Sequence, residues 1–190
     1  MLKHAHVPVI GFAAFSGTGK TTLLVKVLNL LKQRGYRVAT VKHAHHSFDT
    51  DAPGKDSYEM RRAGAVQVII GSRQRWAMVT ETENAPEPTL DTLLQHLDQD
   101  RLDLVLVEGF KSELFPKIEL HRPSLRHPLM HSTDKTIVAV ASDAPLNTKP
   151  DVPVLDLNKP EGIADFILQF CDGASKRPQP NQAAEGGTSS

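Results

Sequence analysis

The chain has 190 residues, and its 22 basic side chains balance its 22 acidic ones. The balance excludes the global positive field of a nucleic-acid binder or of a protein drawn to an acidic membrane. A single cysteine, Cys171, excludes an intrachain disulfide and suits a reducing cytoplasm. No apolar run approaches the ~20 residues of a membrane helix.

The length predicts one α/β nucleotide-binding domain over residues 1–172. Val7–Ala14 reads as a buried strand, too short for a secretory signal and continuous with the glycine loop after it. Thr22–Arg34 carries apolar Leu24, Val27, Leu28 and Leu31 at helical spacing, and Gly35 stops it. Arg37–Lys42 is a second strand, which makes the opening a parallel βαβ unit. His43–Gly54 is a polar loop, and Lys55–Ala63 is a helix ended by Gly64. Val66–Ile70 and Trp76–Thr80 read as an antiparallel pair across the Gly71–Arg75 turn. Glu83–Glu87 is an acidic loop, and Thr89 caps a helix through Leu97. Leu102–Val107 is a central strand, Lys117–His121 a short extended piece, and Thr136–Ala141 and Val152–Leu155 further strands. Pro160 opens a last helix to about Phe170. From Gly173 the chain is rich in Pro, Gln, Gly and Ser, so 173–190 reads as a disordered tail. The fold class predicted is α/β, P-loop NTPase-like: a mostly parallel twisted sheet flanked by helices, with extra antiparallel strands.

The chemistry concentrates in Ala14-Phe-Ser-Gly-Thr-Gly-Lys-Thr21. A glycine loop between a strand and a helix turns backbone N–H groups towards phosphate oxygens, and the helix N-terminus adds positive potential. Ser16, Gly17, Thr18, Gly19, Lys20, Thr21 and Thr22 are therefore the candidate cradle. Lys20 reaches the β- and γ-phosphates, and Thr21 is placed to ligate Mg²⁺. Position one usually holds Gly and here holds Ala14, which suffices where only a compact residue is needed. Leu104-Val-Leu-Val-Glu108-Gly109 supplies the partner carboxylate at a strand tip on the same sheet edge, with Glu in place of the commoner Asp. Asp49, with Asp51 and Asp56, either orients an attacking water or belongs to turn and cap chemistry. His43, His45 and His46 either ligate a transition metal or contact a phosphate, an anionic substrate or a partner, with Lys42 and Lys111 adding charge. Arg75 beside Trp76 is either a phosphate ligand, with the indole stacking on a base, or part of a hairpin turn with a core Trp. Asp143 is either a reader of the guanine N1 and N2 donors or a turn residue. No arginine stands out as a finger in cis, and Arg73 and Arg75 are the candidates to act across a dimer.

Several of these segments occur in one order: Phe15–Thr22, Val41–His46, Pro53–Glu59 with Ala63–Ala65, Gln74–Trp76, Leu106–Lys111 and Ala139–Asp143. That order resembles the molybdopterin-guanine dinucleotide biosynthesis adapter family from about Val7 to Phe170. The resemblance implies GTP binding with Mg²⁺, weak GTPase activity and a homodimer. It also implies a supporting role for the guanylyltransferase that joins GMP to molybdopterin. Gly17–Thr22 would hold phosphates, Thr21 and Glu108 would serve Mg²⁺, and Asp49 would lie near the γ-phosphate. The strands around Trp76 and Lys117–His121 would be additions to the minimal fold at the dimer contact. Guanine over adenine rests on the resemblance alone. Two rivals use the same loop: a small-molecule kinase or ATP-dependent ligase, and a metallochaperone accessory GTPase with the His cluster as metal port.

Overall fold

Strands buried on both faces read as continuous apolar runs, and the runs Val9–Ala14 and Leu104–Val107 become neighbouring interior strands of the main sheet. A computed structural model describes residues 2–44, 48–82 and 85–174. The elements are β1 (Val9–Ala13), α1 (Lys20–Gln33), β2 (Val38–Lys42), α2 (Asp56–Arg62), β3 (Gln67–Gly71), β4 (Trp76–Thr80), α3 (Leu90–Leu94), β5 (Leu104–Glu108), β6 (Lys117–His121), β7 (Ile137–Ser142), β8 (Val154–Asp156) and α4 (Pro160–Ala174). Short 3₁₀ turns at Gln99–Arg101 and Pro123–Leu125 had no counterpart in the sequence reading.

The chain divides into two compact units, one of residues up to Lys42 together with those from Leu90 onward, the other His43–Thr89. The first holds a six-stranded sheet in the order β2-β5-β1-β6-β7-β8, parallel throughout. Its side chains alternate between two cores, as the two-residue period of a strand requires. Ile10 and Phe12 of β1 and Leu104 and Leu106 of β5 face α1 and α4, where they meet Val27, Leu31, Ile163 and Ile167. Val9, Val105 and Val107 face the other way, onto Leu90, Leu94, Phe110 and Phe115. Gly11 belongs to that second face, and a Cβ there would lie 2.5 Å from the Phe115 ring. The ring packs directly on the backbone of β1 because the residue has no side chain.

β6 corrects the sequence reading. Lys117–His121 is no addition to the fold but an internal strand, hydrogen-bonded in parallel to β1 and β7 and buried along its whole length. Its Ile118 and Leu120 alternate with Lys117, Glu119 and His121, a pattern that by itself fits a strand with one solvated face. In fact the polar face is buried, and Lys117 and Glu119 both find internal partners. Lys117 Nζ lies 3.0 Å from an Asp134 oxygen and 2.6 Å from the Thr136 hydroxyl. Glu119 accepts the amides of Met130 and His131 at 2.8 and 2.9 Å. Burial works to raise the Asp134 pKa, but the Thr136 donors and the Lys117 ammonium outweigh it and hold it below the usual carboxylate value.

The second unit carries α2 and the antiparallel pair β3–β4, the extra strands expected. Boundaries elsewhere shift by a turn or less. α1 begins at Lys20 rather than Thr22, α3 ends at Leu94, and α4 continues to Ala174. The expected tail beyond that helix lies outside the described residues, as do His45, His46 and Glu83.

Candidate functional site

β1, β5, β6 and β7 run in parallel, so their carboxyl ends share one edge, and the loops that leave that edge build the site. Between β1 and α1 the chain makes a tight loop. Thr18, itself buried, donates its hydroxyl to the Phe15 carbonyl at 2.8 Å. Gly19 is the N-cap of α1 in a left-handed conformation, φ 97°, which a side chain would oppose. It offers no capping side chain, and the first turn contains no acidic residue. The leading amides of the helix are thus left for an external anion, and the helix dipole favours one.

Lys20 Nζ folds back onto this loop, 3.3 Å from each of the Ala14 and Phe15 carbonyls. Burial, then the charge of Lys111, pushes its pKa below the ordinary lysine value. Glu108 opposes that shift and Lys42 adds to it. Three ammonium groups therefore act on a region with one buried carboxylate, an excess of positive charge suited to a polyanion. Ala14 is fully buried, in keeping with a compact residue in the usual Gly position.

Thr21 and Glu108 meet at this edge. The Thr21 hydroxyl donates to Glu108 Oε1 at 3.0 Å, with Oε2 at 3.2 Å, and Lys42 Nζ stands 3.6 Å from Oε1. A hydroxyl and a carboxylate beside a phosphate cradle are hard oxygen donors of the kind that Mg²⁺ takes, so the residues fit that ion. Behind Glu108 the chain turns sharply through left-handed Gly109 and Phe110, at φ 102° and 52°.

The other candidates are placed less directly. Asp49 and Arg75 belong to the His43–Thr89 unit. There Asp49 pairs with Arg61, which also donates to Glu81 at 2.8 Å. Arg75 lies in the β3–β4 turn, its amide 3.2 Å from the Ser72 hydroxyl, and Trp76 beside it is exposed rather than a core residue. His43 Nε2 lies 2.5 Å from a Glu87 oxygen. Among the described residues no group of three metal-ligating side chains comes together. Asp143 follows β7 and pairs with Arg122.

Arg122 is the residue that sequence reasoning missed. It directly follows β6, and its Nε donates to the Thr18 carbonyl at 2.9 Å. Its position after a parallel strand was the available signal, but only once Lys117–His121 is counted within the sheet. His127 was missed as well. Its ring stacks on Phe15 of the loop at 4.3 Å, and Lys111 Nζ lies 5.7 Å from the same phenyl centre.

A parallel sheet with a glycine loop, an uncapped helix start, a lysine and a Thr–Glu pair at one edge defines a P-loop NTPase-like protein. The comparisons narrow this. Residues 9–143 match the family described as molybdopterin guanine dinucleotide synthesis protein B. An Escherichia coli (strain K12) protein described as molybdopterin-guanine dinucleotide biosynthesis adapter protein is 51% identical over 165 residues, 86% of this chain and 93% of its own length. A Haemophilus influenzae protein of the same description is 47% identical over 162 residues, 85% of this chain and 88% of its own. A crystal structure of molybdopterin-guanine biosynthesis protein B superposes with a TM-score of 0.66 at 26% identity, covering 85% of this chain and 99% of that one. The chain belongs to the molybdopterin guanine dinucleotide synthesis protein B family.

Proposed function

We propose that this protein is a GTP-binding, Mg²⁺-dependent adapter with slow GTPase activity. It acts as a homodimer in the cytoplasm beside the guanylyltransferase that joins GMP to molybdopterin. The observation that carries the nucleotide part is the start of α1. Its amides have no internal cap, and Lys20 and the Thr21–Glu108 pair stand at the same strand ends. The adapter role and the choice of guanine come from the family.

In this reading the amides of Gly17–Thr22 bind and orient the phosphates, and the Lys20 ammonium exchanges its two carbonyl partners for phosphate oxygens. Thr21 and Glu108 would hold the metal, which when bound supplies charge neutralisation for the polyphosphate. Slow turnover fits the arginine supply. Fast phosphoryl transfer uses a free guanidinium or a water-orienting group, and the guanidinium of Arg122 is already bonded to Thr18 and Asp143. A bound nucleotide that is consumed slowly suits control of a partner surface. The homodimer is supported by the β3–β4 hairpin, which exposes Ile69, Ile70 and Trp76. The lone buried Cys171 is free, and burial raises its thiol to about 11, which suits a reducing location.

Isothermal titration with GTP and ATP, with and without Mg²⁺, tests the reading. Lys20→Ala is expected to weaken GTP binding roughly ten- to hundredfold, the range of a lost hydrogen-bonded charge. Unchanged affinity would remove Lys20 from the site. Rapid nucleotide consumption that depends on an added acceptor would mark a kinase instead.

A further inference from the structure

The guanidinium of Arg122 ties the phosphate loop to the loop after β7. Nε donates to the Thr18 carbonyl at 2.9 Å, and Nη1 donates to the Asp143 carboxylate. Nη2 lies 3.7 Å from where a Cβ on Gly19 would stand, so the fork covers two consecutive loop residues. Arg122 and Asp143 are each partly buried, with side chains 34% and 21% exposed. The Asp143 backbone is held in turn, since Asn158 after β8 reaches its carbonyl at 3.5 Å. One run of side-chain bonds therefore links the ends of β1, β6, β7 and β8.

A phosphate loop works through amides that converge, while carbonyls point away from the anion. Arg122 grips a carbonyl, so it holds the outside of the loop and leaves the inner amides free. The loop contains glycines at φ 78° and 97°, and an unsupported loop of this kind would lose conformational entropy on ordering around a ligand. A fixed guanidinium meets part of that cost before the ligand arrives.

We infer that Arg122 is a positioning residue that pre-forms the phosphate loop through the Thr18 carbonyl, and that Asp143 serves by holding Arg122 rather than by reading a base. The inference rests on the nucleotide reading above and goes beyond it. It assigns a loop-bracing role to two residues and removes guanine recognition from Asp143. The physical reason is orientation, because paired bonds to the N1 and N2 donors of guanine take both carboxylate oxygens, and the bond from Nη1 commits one of them to Arg122.

The test is titration calorimetry on the full-length protein with GTP, ITP, ATP and inorganic tripolyphosphate. The variants are Arg122→Met, Arg122→Lys, Asp143→Asn and the Arg122→Met/Asp143→Asn double. A brace predicts that Arg122→Met and Asp143→Asn lower affinity for all four ligands by the same factor, roughly tenfold or more for a lost charged hydrogen bond. The double variant is then little worse than either single, because the residues act as one unit. Arg122→Lys restores little, since an ammonium cannot span both partners as the fork does. Amide hydrogen exchange should quicken at residues 15–19 while the centres of β1 and α1 stay protected. A general structural role would not confine the change in this way. Two results overturn the inference: normal tripolyphosphate binding by Asp143→Asn with a selective loss of GTP over ITP, or unchanged affinities in Arg122→Met. A native protein that binds none of the four ligands would instead overturn the nucleotide reading itself.

Discussion

The two compact units solve the problem of burying a sheet in opposite ways. In the larger one β1, β5 and β6 are buried from end to end, with helices or loops on both faces. In the His43–Thr89 unit β3 and β4 are exposed almost throughout, and α2 buries no residue. Yet the hairpin is not polar. Ile69 is 68% exposed and Trp76 is 71% exposed. A two-stranded ribbon is marginal by itself, and this surface is the one that the homodimer proposed above would cover. Strand propensity alone therefore does not say whether a strand is finished. The large unit is complete as it stands, and the small one has the composition of an interface.

Four measurements would break or sharpen that contrast. The largest effect is expected in the sheet, where Leu106→Ala opens a cavity in a fully buried strand and should cost about 2–5 kcal/mol in denaturant unfolding. Next comes Asp134→Ala, which leaves the buried Lys117 ammonium without its counter-charge and should cost about 3 kcal/mol. The sign of the pH dependence follows from the lowered Asp134 pKa. That stabilisation is present above the ordinary carboxylate pKa and is lost as pH falls through the lower, folded value, so the variant and the native protein should converge in strong acid.

The hairpin should respond differently. If Ile69 and Trp76 face solvent, Ile69→Ser with Trp76→Ser stays within about 0.5 kcal/mol per site and the molar mass by light scattering is unaltered. If they are covered by a second copy, as proposed, the same pair halves the molar mass. The smallest effect concerns Lys20. Its pKa is lowered in the free site, and phosphate would raise it. Nucleotide binding should therefore take up protons in the alkaline range, with affinity falling as pH rises through the free value. Calorimetry in buffers of different ionisation enthalpy would detect the uptake, and Lys20→Arg should abolish it.

Much of the site was legible because its chemistry is local in the chain. The glycine loop, Lys20 and Thr21 lie side by side, and four apolar residues before Glu108 announce a strand tip. The Thr21–Glu108 contact then follows from a parallel sheet. What stayed hidden depends on partners far away in sequence. The KIELH segment looks amphipathic, and only Asp134, Thr136 and the amides at 130 and 131 make its polar face fit to bury. Misplacing β6 also concealed Arg122, whose meaning comes from standing next to β1. The order β2-β5-β1-β6 places β6 beside β1, although more than a hundred residues separate Arg122 from Thr18, at a sequence separation of 104.

Lys20 resting on the Ala14 and Phe15 carbonyls has a consequence for selectivity. The crevice already has a tenant, the protein's own side chain, and an incoming anion must offer more than two peptide oxygens do. A chloride ion or a single phosphate group makes a poor replacement, whereas a chain of phosphates repays the exchange at several amides together. On the reading proposed above, an anion that engages several loop amides together offsets the loss of those two contacts better than a small one does.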